Sequence, residues 1–257
     1  MRRTICLLPL LCLSVRTPAA PLEETIKPAG PERLYQGDMH VKYSRNGLRD
    51  AKFHWPNATV YFKISTTFSE PQVNQINLAM QMIQNVSCVR FVPADEDVKG
   101  YVFVNDSDTG CWSQIGYYGQ EQIVNLHTGC LSLGIIQHEL LHTLGFLHQQ
   151  NSADRDDYIN IDWTNIKEKH KKNFIKANSS LVWNFGSKYD YNSIMHYSGT
   201  AFRINSSRPT IETLQNLNGR RIGQRERMSD TDISRLNNMY KCDLATSTEN
   251  WESNENS

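Results

Sequence analysis

Apolar and polar residues alternate from Val60 through Phe62 to Ile64, with Tyr61 and Lys63 between them, and this predicts a half-buried strand. Ser69, Glu70 and Pro71 then read as a helix start. Val73, Ile76, Met80 and Ile83 recur at three- to four-residue spacing and predict a helix to about Val86. Strand-like runs follow at Cys88 to Val92, Tyr101 to Val104 and Gln122 to Leu126, and a second helix is predicted from about Ser132 to Leu147. A strand, a helix, further strands and a second helix predict an α+β lobe. After Gln149 polar and charged residues dominate, and helical period survives only near Trp163 to Ala177 and Ser229 to Tyr240. A second, irregular and loop-rich lobe is expected there.

The two ends read differently. Residues 1–20 have a basic start at Arg2 and Arg3, an apolar run from Ile5 to Leu13 and small residues at Ala19 and Ala20, the layout of a signal peptide. The run falls short of the ~20 residues a membrane-spanning helix needs. Residues 21–45 are rich in Pro, Glu and Lys without period, and an extended segment outside the core is expected. Residues 243–257 form a polar tail, expected to be disordered.

Lys plus Arg total 27 and Asp plus Glu total 27, so no global field draws the chain to nucleic acid or an anionic membrane, and neither is expected as a partner. Loss of the signal segment leaves Cys88, Cys111, Cys130 and Cys242 in an oxidising compartment. Two disulfides are expected, and spacing leaves three connectivities open. No C-x-x-C pair supports a four-thiolate metal site. Sequons at Asn57, Asn85, Asn105, Asn178 and Asn205 are compatible with secretion.

The decisive stretch is His138-Glu139-Leu140-Leu141-His142-Thr143-Leu144-Gly145-Phe146-Leu147-His148. On a helix, residues four apart lie one turn above each other, so His138 and His142 can face one ion. Gly145 can take the positive φ that ends a helix sharply and brings His148 to the same ion. Three imidazoles leave a position open for water, the mark of a catalytic zinc, one per chain. Glu139, beside the first ligand, can act as the base for that water.

The stretch HELLHTLGFLHQQNSADRDDY resembles the astacin family of metzincin zinc endopeptidases, as do Ser193-Ile194-Met195-His196-Tyr197 and the closing Met239-Tyr240-Lys241-Cys242. Within that family the likeness is to hatching-enzyme and meprin catalytic domains. The resemblance implies a two-lobed protease, with a twisted sheet and two helices in the N-terminal lobe and an irregular C-terminal lobe. It implies a catalytic domain over residues 46–242 that cuts protein or peptide substrates and acts as a monomer. It gives Met195 the apolar floor beneath the histidines and Tyr197 a swinging phenol that stabilises the oxyanion. It also implies the disulfides Cys88 with Cys242 and Cys111 with Cys130, the first worth ~4 kcal/mol if unstrained.

Upstream, Tyr35-Gln36-Gly37-Asp38 resembles the family's propeptide motif, whose aspartate ligates zinc and excludes water. This implies a propeptide over residues 21–45, latency through Asp38, and activation between Arg45 and Asn46 by a trypsin-like protease, with Arg49 a second basic site. The sequence departs from the family in placing Gln149 where a glutamate links to the mature amino terminus; a neutral amide cannot pair a charge. Arg225 matches a basic residue that meprin-like members use to favour acidic residues after the cut, but it also lies in an arginine-rich stretch that reads as a solvated face. The competing class is a catalytically silent relative that binds an extracellular partner through the same cleft.

Overall fold

The computed structural model describes residues 34–40, 50–177 and 185–242. The predicted signal segment 1–20, the predicted tail 243–257, Arg45, Asn46, Arg49 and Asn178 lie outside the described residues.

The N-terminal lobe is a six-stranded sheet carrying two helices. Its strands are β1 (Met39–His40), β2 (Thr59–Ile64), β3 (Arg90–Pro93), β4 (Val102–Asn105), β5 (Cys111–Gln114) and β6 (Gln122–Leu126), in the order β1-β5-β6-β4-β2-β3. All pairs are parallel except β5 against β6, where Cys111 lies opposite Leu126. Helix α1 (Glu70–Gln84) starts as predicted: the Gln72 side chain accepts from the Ser69 backbone N–H at 2.8 Å, a capping interaction. The predicted apolar stripe is buried at Ile76, Met80 and Ile83, while Val73 packs at its margin. α1 packs on α2 (Leu133–Thr143), whose Ile136, Leu140 and Leu141 complete the core with Val60, Val102, Val104 and Val124.

Several expectations are corrected. The second helix stops at Thr143 and not Leu147, because Gly145 at φ +112° closes it: Phe146 N–H donates to Leu141 O at 2.9 Å and Gly145 N–H to His142 O at 2.8 Å. The strand expected at Cys88 begins at Arg90, and β5 has no counterpart among the predicted runs. Residues 34–40 are not outside the core: Leu34, Gln36 and Met39 are buried, and Met39 belongs to the main apolar cluster. The helix expected over Trp163 to Ala177 is two 3₁₀ segments, Trp163–Asn165 and Glu168–Phe174. Between them Ile166 bridges to Arg203 and Lys167 N–H donates to Phe202 O, so cross-chain bonds take the place of the helical ladder.

The C-terminal lobe otherwise holds a two-stranded sheet of β7 (Ile159–Ile161) and β8 (Ile211–Thr213), and α3 (Asp230–Tyr240), whose cap is Ser229. The disulfides join Cys88 to Cys242 and Cys111 to Cys130, as the resemblance implies. The first ties the end of α3 to the segment following α1. Among the described residues no helix is long and apolar enough to cross a membrane.

Candidate metal centre

Helix α2 packs on α1, β5 and β6 with its apolar face in the core and His138, Glu139 and His142 on a separate, buried face. The glycine-closed helix end then returns the chain so that His148 meets them. Ring centroids of His142 lie 4.7 Å from those of both His138 and His148. The Nε2 atoms of all three converge on the carboxylate of Asp38, at 3.3 Å for His138, 3.5 Å for His142 and 3.1 Å for His148.

These distances fit a shared ion. Four donors held about 2.0–2.1 Å from a tetrahedral zinc lie about 3.3 Å from one another. Three further observations agree. Donor atoms of Asp38, His138, His142 and His148 all lie within 4.8 Å of one another, the group that could hold a metal among the described residues. His142 Nε2 and one Asp38 oxygen are buried without a hydrogen-bond partner. Burial also holds His138 well below the usual imidazole range, and His148 at about 4, so both present the neutral form a cation needs. Burial pushes the Asp38 carboxyl up, but the close approach of the three imidazoles, His148 foremost, outweighs it and holds it well below its ordinary value.

Glu139 is buried, with one carboxylate oxygen unpartnered. Burial first and the Asp38 charge second push it well above the usual carboxylate range, while Arg225 opposes them. A buried carboxyl with an unpartnered oxygen beside the metal point can accept a proton and return it.

The Ser193 to Tyr197 turn passes against the site. His138 Nδ1–H donates to Ile194 O at 2.9 Å, and Met195 is buried, with its carbonyl accepting from Gln149 N–H at 3.0 Å. The Tyr197 ring lies 4.5 Å from that of His148, and its hydroxyl donates to the Gln36 carbonyl. Arg225 is half-buried and not a freely solvated cation: Nη1 donates to His196 O and Gln224 O, both at 2.9 Å. Its charge reaches His138, Glu139 and Tyr197. Gln149 is buried and accepts from the Arg235 guanidinium.

Three residues escaped sequence reasoning. Asp232 accepts from Ser193 Oγ at 2.6 Å and Ile194 N–H at 2.9 Å, anchoring the turn; its capping-box position after Ser229 was the one signal that could have found it. Gln150 accepts from Tyr197 N–H at 3.0 Å through its side chain. Gln36 touches both His148 and Tyr197, and nothing in its type announced this.

Three imidazoles and a carboxylate around one point, with a second buried carboxylate alongside, define a metal-dependent hydrolase. Comparison with known proteins narrows the class. Residues 47–241 match the peptidase family described as Astacin. Seminal metalloprotease 1 of Drosophila melanogaster is 40% identical over 226 residues, covering 82% of this chain and 89% of that protein. Zinc metalloproteinase nas-13 of Caenorhabditis elegans is 37% identical over 204 residues, covering 79% of this chain and 44% of its own. The solved structure of the hatching-enzyme zinc protease High choriolytic enzyme 1 from Oryzias latipes superposes with a TM-score of 0.70 at 38% identity, covering 75% of this chain and 96% of the other. The chain belongs to the astacin family. It is a zinc metalloendopeptidase acting on peptide or protein substrates, with the metzincin fold implied by its motifs.

Proposed function

We propose that this protein is a secreted endopeptidase made latent, in which His138, His142 and His148 hold the zinc and Asp38 takes the fourth position until the segment before Asn46 is cut away after Arg45 by a trypsin-like protease. The observation that carries this is the Asp38 carboxylate facing all three Nε2 atoms at 3.1–3.5 Å. The segment is tightly seated: Ser113 N–H donates to Asp38 O at 2.9 Å, and Gly37, at φ +89°, lies so close to Phe202 and Tyr197 that a Cβ would meet them at 3.0 and 3.1 Å.

When bound, zinc polarises the scissile carbonyl and acidifies the attacking water. Glu139 takes the proton from that water and returns it to the leaving amine. Its raised proton affinity suits both transfers. Tyr197, freed from the Gln36 carbonyl, turns its hydroxyl to the oxygen that gains charge. Met195 forms the apolar floor of the site and Asp232 fixes the turn that carries it. Arg225, held by its hydrogen bond to His196 O, favours an acidic residue after the cut. The processed enzyme is a monomer.

Hydrolysis of unfolded casein by processed protein tests the reading. A chelator abolishes it, and Glu139→Gln lowers it by about 10³-fold or more, since a positioned base alone contributes about 10²–10⁴. Full activity in Glu139→Gln refutes the assignment. Asp38→Ala raises activity before processing, and an unprocessed variant as silent as wild type removes the latency switch.

A further inference from the structure

Each ligand histidine has a second nitrogen pointing away from the metal point, and its acceptor fixes the ring and its tautomer. For His138 that acceptor is Ile194 O at 2.9 Å, and for His142 it is Phe146 O at 2.6 Å. Both are main-chain carbonyls of the catalytic body. For His148 it is the side-chain oxygen of Gln36, at 3.2 Å, on the segment that also carries Asp38. With His148 Nε2 turned to the metal point, Nδ1 carries the hydrogen and Gln36 Oε1 receives it.

Gln36 is built into this place. It is fully buried, adopts φ +48°, and sits in a turn closed by Tyr35 N–H to Met39 O at 2.7 Å and Met39 N–H to Tyr35 O at 3.1 Å. Its main-chain carbonyl accepts from Tyr197. The residue therefore engages a histidine through its side chain and a phenol through its backbone.

We propose that Gln36 is the positioning residue of the third zinc ligand, so that the 34–40 segment holds the metal twice: through Asp38 directly and through Gln36 by way of His148. This rests on the latent-segment reading above. Removal of the segment leaves His138 and His142 with their acceptors and deprives His148 alone. The processed enzyme therefore exchanges its zinc faster than loss of one carboxylate ligand accounts for, and His148 is the ligand that loosens.

Zinc release from the unprocessed protein into an excess of a coloured chelator tests this without reference to proteolysis. Gln36→Met keeps the volume but has no strong acceptor, and release is expected to be about tenfold faster or more, the usual cost of losing such a partner. Gln36→Glu, which keeps an acceptor oxygen, is expected to release at the wild-type rate or slower. Asp38→Ala is the companion. Faster release in Asp38→Ala with wild-type release in Gln36→Met removes the role of Gln36 alone, and wild-type release in both removes the latent segment as well. Equal acceleration in Gln36→Met and Gln36→Glu also overturns the proposal, since it marks Gln36 as mere filling. Should Gln36→Met not fold, hydrogen exchange at His148 Nδ1 in zinc-loaded wild type reads the same contact. It is expected to be slow before processing and fast after; fast exchange before processing, or slow exchange after it, contradicts the assignment.

Discussion

The two lobes are held together in different ways. The N-terminal lobe is a backbone ladder with helices laid on it, its core filled by residues such as Val60, Val102, Ile136 and Leu140. The C-terminal lobe has a smaller apolar cluster, centred on Ile159, Ile166, Phe174 and Ile211, and its chain is tied by buried polar side chains. Asn165 donates to the carbonyls of Asn205, Arg208 and Pro209 and accepts from Asn205 N–H. Asn151 donates to Asn173 O and Ile175 O, and Arg155 donates to Gln150 O and Phe174 O. Irregular backbone leaves carbonyls without ladder partners, and buried amides and guanidinium groups satisfy them. The metal point lies where the two regimes meet: two histidines ride a rigid helix, and the third is followed by the network that orders the irregular lobe.

This contrast makes the lobes fail for opposite reasons. Leu140→Ala should be the costlier change, at about 3–5 kcal/mol in urea unfolding, because it opens a cavity in a packed core. Leu140→Met should cost less than about 1.5 kcal/mol. Asn165→Leu should lose about 2–3 kcal/mol although it adds apolar volume, because buried carbonyls lose their donor. If Asn165→Leu were neutral or stabilising, the distinction between the lobes would not stand.

Acid should separate the lobes next. His196 is buried, donates from Nδ1 to Tyr197 O at 2.6 Å and meets the Tyr189 hydroxyl through Nε2 at 2.7 Å; burial holds it at about 4. A histidine depressed on folding contributes stability that is complete above its unfolded value of ~6.5 and lost as pH falls toward 4. About 2 kcal/mol should be gone at pH 5. Amide exchange at pH 7 and pH 5 checks this, with protection falling first around Tyr189 to Tyr197 and later in β4 and β6. The smallest effect is expected at the start of α1, where Gln72→Ala removes the cap on Ser69 and costs about 0.5–1 kcal/mol in the same unfolding measurement.

What the sequence made legible follows packing on the main core: even in the C-terminal lobe, period located α3, whose Leu236 and Met239 join that core. Period alone located β2, β4, β6 and both N-terminal-lobe helices to within a few residues, because one face of each is buried against a continuous core. β5 escaped because Ser113 and Gln114 are buried polar residues, so the strand has no apolar alternation. The 3₁₀ segments after Trp163 escaped because Asn165 and Lys167 pair with chain some forty residues away, which no local pattern encodes. The histidines were legible because their spacing is itself helical geometry ended by a glycine. The docking of residues 34–40 was legible only through the motif Tyr35-Gln36-Gly37-Asp38, since the composition and period of a polar segment give no sign that its partners lie a hundred residues downstream.

Zinc content is the most direct test of the convergence of His138, His142, His148 and Asp38 on one ion. Purified unprocessed protein, measured by elemental mass spectrometry, is expected to carry one zinc per chain, and His138→Ala/His142→Ala to carry none while retaining its disulfides. A wild-type protein without zinc, or a double variant that keeps it, would contradict the account.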